Sequence, residues 1–127
     1  MDGTQLHERA AARAEELPGA VLEHPFAPEI DVYKVRGKVF MLCSTLQGSE
    51  IVTLKAAPAD ANALREAYPE IVPGYHMNKK HWITVSAGGV LDAELLDDLV
   101  TESYLQVIET LPKHARPVDP ATFGRRD

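Results

Sequence analysis

A chain of 127 residues and 13.9 kDa, 45% apolar and 25% charged, has the size and composition of one globular domain with a single packed core. Its net charge of −6 argues against non-specific coating of nucleic acid, because phosphate attraction supplies most of such binding. The single cysteine, Cys43, excludes an internal disulfide framework, and apolar runs of only a few residues exclude a membrane span.

Met1-Asp2-Gly3-Thr4-Gln5 lacks the basic start and apolar run of a secretory leader, so a cytoplasmic location is expected. The charge is unevenly distributed. Between residues 31 and 85, seven bases (Lys34, Arg36, Lys38, Lys55, Arg65, Lys79 and Lys80) meet five acids, whereas the remainder carries six bases and fourteen acids. A basic middle between acidic flanks either places positive potential on one surface or reflects acidic helices covering one side.

Residues 4–17 show apolar positions at helical spacing (Leu6, Ala10, Ala14, Leu17), and Pro18-Gly19 ends the pattern. Residues 20–26 read as a short strand closed by the Pro25-Phe26-Ala27-Pro28 corner. Val32-Tyr33-Lys34-Val35 and Lys38-Val39-Phe40-Met41-Leu42 flank Arg36-Gly37, and a two-residue link ending in glycine suits a type I′ hairpin. That register sets Tyr33 opposite Phe40 and Val35 opposite Lys38. Residues 50–54 form a third strand after the Gln47-Gly48-Ser49 turn, which completes an antiparallel meander.

A short helix is expected over residues 58–68, with Pro58 at an allowed early position and Pro69 barring extension. Residues 81–86 read as another strand, and Gly88-Gly89 turns the chain. Asp92 is a good N-cap for a last helix whose buried stripe comprises Leu95, Leu96, Leu99, Val100, Ser103, Tyr104, Val107 and Leu111, with Pro112 as its stop. Residues 1–112 thus form one domain and residues 113–127 a C-terminal tail. The fold class is α+β: an antiparallel β-sheet with helices packed on one face and the other face at least partly solvated.

Chemistry concentrates in Pro73-Gly74-Tyr75-His76-Met77-Asn78-Lys79-Lys80-His81-Trp82, which holds two histidines, two adjacent lysines, an amide and the only tryptophan. Adjacent lysines on an extended segment point to opposite faces, so Lys79 and Lys80 serve one surface only if a turn carries them, and Asn78 suits such a turn. They read as phosphate or carboxylate contacts, or as a solvated turn at a strand start. Tyr75 and Trp82 read as stacking platforms for a base or ring, or as ordinary packing. His76 and His81, five apart, fit neither one helical face nor one strand face, and His24 and Cys43 are poor third ligands, so no metal site is expected. Nor does any nucleophile sit beside a base and its orienting group, so no catalytic residues are assigned and no cofactor is expected. Gly88-Gly89 before a helix offers an anion site or simply a turn, and Asp92 would repel an anion there. Cys43 reads as a small core hydrophobe.

That segment, together with Leu17-Pro18-Gly19-Ala20, Pro25-Phe26-Ala27-Pro28-Glu29, Lys34-Val35-Arg36-Gly37-Lys38-Val39-Phe40, Ser103-Tyr104 and Leu111-Pro112-Lys113, resembles the MmcQ/YjbR family of small bacterial proteins. The resemblance runs from the first helix to Lys113. It implies a CyaY-like α/β sandwich related in outline to frataxin, and a "double wing" label that implies DNA binding.

Two functions are therefore expected in competition. One is a non-enzymatic DNA-binding module on the open sheet face, with Tyr75, His76, Asn78, Lys79, Lys80, His81 and Trp82 joined by Lys34, Lys38 and Lys55. The other is a domain that uses the same patch for an anionic small molecule or a protein. Either would act as a monomer or weak dimer away from membranes.

Overall fold

The computed structural model describes residues 1–74, 77–89 and 91–124. Three helices and six strands follow in the order α1 (Gly3–Glu16), β1 (Ala20–Glu23), β2 (Asp31–Val35), β3 (Lys38–Leu46), β4 (Ser49–Lys55), α2 (Pro58–Ala67), β5 (Ile71–Pro73), β6 (Trp82–Ser86) and α3 (Ala93–Glu109). The strands form one antiparallel sheet in the order β1-β2-β3-β4-β6-β5. The expected α+β architecture is the observed one.

Local chemistry sets the helix boundaries. Asp2 and Gln5 make a reciprocal capping box at the start of α1 (Gln5 N to Asp2 Oδ1 2.8 Å, Asp2 N to Gln5 Oε1 2.9 Å). Asp92 caps α3 by accepting from Leu95 N at 2.8 Å. Pro58 opens α2, where its missing N–H costs nothing. The stripe of α3 is buried at Leu96, Leu99, Val100, Ser103, Tyr104 and Val107 as expected, with Ile108 added and Leu95 only half-buried.

One sheet face carries Met41, Cys43, Val52, Leu54, Ile83 and Val85 into the core with Leu6, Ala10, Leu96, Val100 and Tyr104 from α1 and α3. The two helices are joined by a two-pronged ion pair, Arg9 Nε to Asp97 Oδ1 at 2.9 Å and Nη2 to Oδ2 at 2.6 Å, and by Arg13 Nε donating to Thr101 Oγ1 at 2.8 Å.

The hairpin register differs from the sequence expectation at one place. Val35 does lie opposite Lys38, but Tyr33 lies opposite Met41, not Phe40. Phe40 is the extra residue of a β-bulge, which turns both Phe40 and Met41 toward the core and breaks the period of two. Arg36 (φ 51°) and Gly37 (φ 80°) form the tight turn itself, the conformation that the glycine favours. Phe40 packs between Tyr33 (centroids 6.4 Å apart) and Tyr104 (5.4 Å, edge-to-face).

Ser103 closes the gap that the bulge opens. Its hydroxyl, fully buried, donates to Phe40 O at 2.5 Å and accepts from Lys55 N at 2.7 Å, bridging β3 and β4 one step beyond their last paired residues, Met41 and Leu54.

Residues 113–124, read from sequence as a tail, return to the body. A 3-10 turn (Lys113–Ala115) is followed by Val118 and Phe123, which pack partly buried on the core, the Phe123 ring 6.1 Å from that of Tyr104.

Burial raises the Cys43 thiol from its ordinary 9.0 to about 12, with Asp31 adding to the effect, and burial likewise raises the Tyr33 and Tyr104 hydroxyls to about 12. The folded state holds these protons more tightly than the unfolded chain. The associated stability is complete below about pH 9 and is lost as pH climbs toward 12. Urea midpoints should be flat from pH 7 to 8.5 and fall above pH 9, and a thiol reagent should label Cys43 at pH 8 only as fast as the chain unfolds. Rapid labelling in native buffer would contradict the buried placement. Ser103→Ala should cost about 1–3 kcal/mol by leaving the Phe40 carbonyl and Lys55 amide unpaired; a loss of only a few tenths in urea melts would count against the bridge.

Candidate binding face

The sheet face away from α1 and α3 holds Leu42, Ser44, Ile51 and Thr53, which pair across β3 and β4 as Leu42–Thr53 and Ser44–Ile51, with Thr84 of β6 opposite Thr53. Open solvent would suit these hydroxyls, yet Thr53 and Thr84 are buried. The cover comes from two loops. Residues 25–30 bring Phe26, Glu29 and Ile30 over the sheet, and the connection from β5 to β6 brings Met77. Together they wall a trough of about 400 Å³ whose floor is Leu42, Ser44, Thr45, Ile51 and Thr53. Phe26 is 68% exposed at its rim, the most exposed large apolar side chain described.

The loop that supplies Met77 is tightly built. Asn78 makes the expected turn: its Oδ1 accepts from Lys80 N at 2.9 Å and its carbonyl accepts from Trp82 N at 3.0 Å. Gly74 N donates to Trp82 O at 2.9 Å, so the two loop ends lie in close contact. A Cβ on Gly74 would sit 2.6 Å from Trp82 Cβ and 3.0 Å from its carbonyl carbon. Glycine is required there for close approach, not for a special dihedral.

The structure brings some sequence candidates together and separates others. Asn78, Lys79, Lys80 and His81 are exposed on this one loop, with Trp82 half-buried at the start of β6 on the trough side of the sheet. Tyr75 and His76 lie outside the described residues. Lys34 is paired with Glu23 at 3.1 Å on β1, well along the sheet. Lys38 lies on the helix side, where Nζ donates to Thr110 Oγ1 at 3.1 Å. Lys55 lines a cleft between α2 and α3 with Asp60, Asp98 and Glu102. Of the histidines, His24 pairs with Asp31 at 2.7 Å and His7 contacts Ile51 O at 2.9 Å. Among the described residues no three His, Cys, Asp or Glu side chains are grouped to hold a metal, and no helix is long and apolar enough to cross a membrane.

The trough itself escaped sequence reasoning, because its floor residues read as ordinary strand positions and Phe26, Glu29 and Ile30 as a loop. The available signal was the hydroxyl alternation of Ser44, Thr53 and Thr84, polar groups spaced along one face. Glu70 also carried no signal. It is only 6% exposed, its carboxylate oxygens find no hydrogen-bond partner among the described residues, and it rests against Gly89, where a Cβ would collide with it.

Gly74→Ala should destabilise the chain by about 1–3 kcal/mol, since neither the Trp82 backbone nor its Cβ can retreat from the added methyl. Thermal melts read this, and a shifted Trp82 emission maximum should accompany it; a variant as stable as the parent would remove the close-approach argument.

Comparison with known proteins agrees with this architecture. A family model described as YjbR matches residues 15–106. The uncharacterised protein YbdF of Escherichia coli O157:H7 is 47% identical over 113 residues, covering 89% of this chain and 93% of that protein. The uncharacterised protein YjbR of Escherichia coli K12 is 34% identical over 83 residues, 65% of this chain and 70% of its own. The crystal structure of Deinococcus radiodurans protein DR2400, a DUF419 domain, superposes with a TM-score of 0.80 at 34% identity, with 91% of each chain covered. A Pseudomonas syringae protein, also known from a crystal structure, gives 0.63 at 27% identity over 81% of this chain and 96% of its own. The match of the family model and the identity to YbdF over nearly its whole length place this chain in the YjbR family, to which it belongs.

Proposed function

We propose that this protein is a non-enzymatic binding module whose site is the trough on the sheet face, and that its ligand is a small molecule with an apolar body and an anionic end. The observation that carries this reading is the trough itself. Its volume of about 400 Å³ falls in the range of small-molecule pockets, with walls that are apolar except for Glu29 and a few hydroxyls that can orient a ligand. The anionic end follows from the loop that forms one wall. Lys79 is two residues beyond Met77, so its Cα lies within about 7 Å of that wall residue's Cα. The side chains of Lys79, Lys80 and His81 find no acceptor among the described residues.

The same exposed Lys79-Lys80 turn supports a second reading, contact with the phosphates of DNA, in keeping with the family's "double wing" label. Less of the chain supports it. Lys34, Lys38 and Lys55 lie on three different parts of the surface, and two lysines alone give a salt slope of only about −2 in log affinity. The trough would then have no role.

A titration with 1-anilinonaphthalene-8-sulfonate, an aromatic body with one sulfonate, separates the readings. Saturable one-to-one binding is expected, abolished by Ser44→Phe, which fills the trough floor, and weakened about tenfold by Lys79→Glu with Lys80→Glu. A twelve-base-pair duplex should bind weakly at low salt and fail to compete. Dye binding untouched by Ser44→Phe would sink the trough, and duplex binding lost with the two lysines would move the conclusion to DNA.

A further inference from the structure

The hairpin turn between β2 and β3 and the segment after α3 meet at one corner of the molecule, far along the chain from the Lys79-Lys80 loop. Arg36 Nε donates to Ala115 O at 2.9 Å. Arg116 Nε donates to Leu111 O at 3.0 Å and Nη2 to Glu109 O at 3.1 Å. Lys38 reaches Thr110 on the same helix end. Lys113 and Arg116, with Pro117, Val118, Asp119 and Pro120, line a cavity of about 470 Å³. Four permanent cations and His114 are therefore gathered around the last turn of α3 in a protein whose net charge is −6.

A helix C-terminus repels anions, because its free carbonyls carry partial negative charge. Here arginines take up carbonyls at and just beyond that end: Arg116 takes Glu109 of α3 and Leu111, and Arg36 takes Ala115 of the following 3-10 turn. The capping also leaves donors to spare. A guanidinium has five N–H groups, and Arg36 spends only Nε, so both terminal nitrogens of this exposed side chain remain unpaired among the described residues. The Lys113 ammonium and the His114 ring likewise have no partner there. The carboxylate lining the cavity, Asp119, accepts from Ala121 N at 2.9 Å through Oδ1. Fixed, forked donors beside a mobile ammonium match the oxygens of a phosphate group.

We propose that this corner is an anion site for a phosphate-bearing ligand, held by Arg36, Lys113 and Arg116. The trough takes no part, and neither do Lys79 and Lys80. The phosphate belongs either to a free phosphorylated molecule or to a nucleic-acid backbone, and two probes distinguish these sources.

Inorganic pyrophosphate and a single-stranded twelve-nucleotide DNA are titrated into the full ¹⁵N-labelled chain at low salt, and amide shifts are followed. Saturable shifts at Arg36, Gly37, His114, Ala115 and Arg116 are expected with at least one probe, and affinity should fall about tenfold in Arg36→Glu with Lys113→Glu. Response to pyrophosphate points to a free phosphorylated molecule, and response to the oligonucleotide alone to a phosphodiester backbone. Lys113→Glu alone, at an exposed position without a partner among the described residues, should weaken binding severalfold and serves if the double variant does not fold. No shifts with either probe, shifts confined to Lys79-Lys80, or undiminished affinity in a folded variant would each overturn the proposal.

Discussion

The hydroxyl of Ser103 is the point on which the two layers of this protein depend. Strands β3 and β4 pair regularly as far as Met41 and Leu54, and one step further the ladder bond from Lys55 N to Phe40 O is replaced by a side chain from α3. The replacement satisfies a donor and an acceptor that burial would otherwise leave unpaired, beside a fully buried hydroxyl. It also fixes the helix against the sheet in height and rotation, because a hydroxyl between two backbone groups tolerates little displacement.

The bulge and the serine belong together. Without the extra residue at Phe40, strict alternation would turn either Phe40 or Met41 to the opposite face, and the edge-to-face contact of Phe40 with Tyr104 would be lost. With it, both side chains enter the core and the strand bends, at the cost of an interrupted ladder that Ser103 repairs. The Arg9–Asp97 pair, partly exposed, contributes less to stability but sets the pitch between α1 and α3. Since both helices lie on one side, the other face of β3 and β4 needs a different cover, and two loops supply it only in part. The trough is what remains uncovered.

This division explains what was legible in the sequence. The helices announced themselves through caps and breakers: Asp92, Pro58, Pro18-Gly19 and Pro112 act locally, so their meaning survives in one dimension. The Arg36-Gly37 turn did so as well. Tyr33 was misplaced by one position because Val39-Phe40-Met41-Leu42 is a continuous apolar run, and such a run conceals a bulge that only the partner strand reveals. Strand β5 went unread because three residues ending in proline carry no period, although an edge position tolerates that proline. In the polar-aromatic segment the turn that Asn78 suits was legible, because that side chain acts on the backbone two residues on. The walls of the trough come from residues 26–30 and Met77, about fifty positions apart, and nothing local records that they meet.

Electrostatics completes the picture of where ligands can approach. The exposed acids of α1 and α3, Glu8, Glu15, Glu94, Asp98, Glu102 and Glu109, give the helical layer a negative exterior, while Asp97 is held by Arg9 and Glu16 by Arg13. A phosphate or sulfonate is therefore turned away from that layer at long range, within the roughly 10 Å over which charges act at ordinary ionic strength. Cations with side chains to spare stand at two places, the Lys79-Lys80 loop and the corner of exposed Arg36 and Lys113 with half-buried Arg116, where Asp119 also lines the cavity. They differ in kind: the loop offers two flexible ammonium groups beside an apolar trough, the corner offers guanidinium groups already fixed by backbone carbonyls. Ammonium groups on a solvated loop favour a ligand whose apolar body does most of the binding, whereas fixed forks favour one recognised by its oxygens. The two sites proposed here thus call for different ligands, because the same charge is presented on different supports.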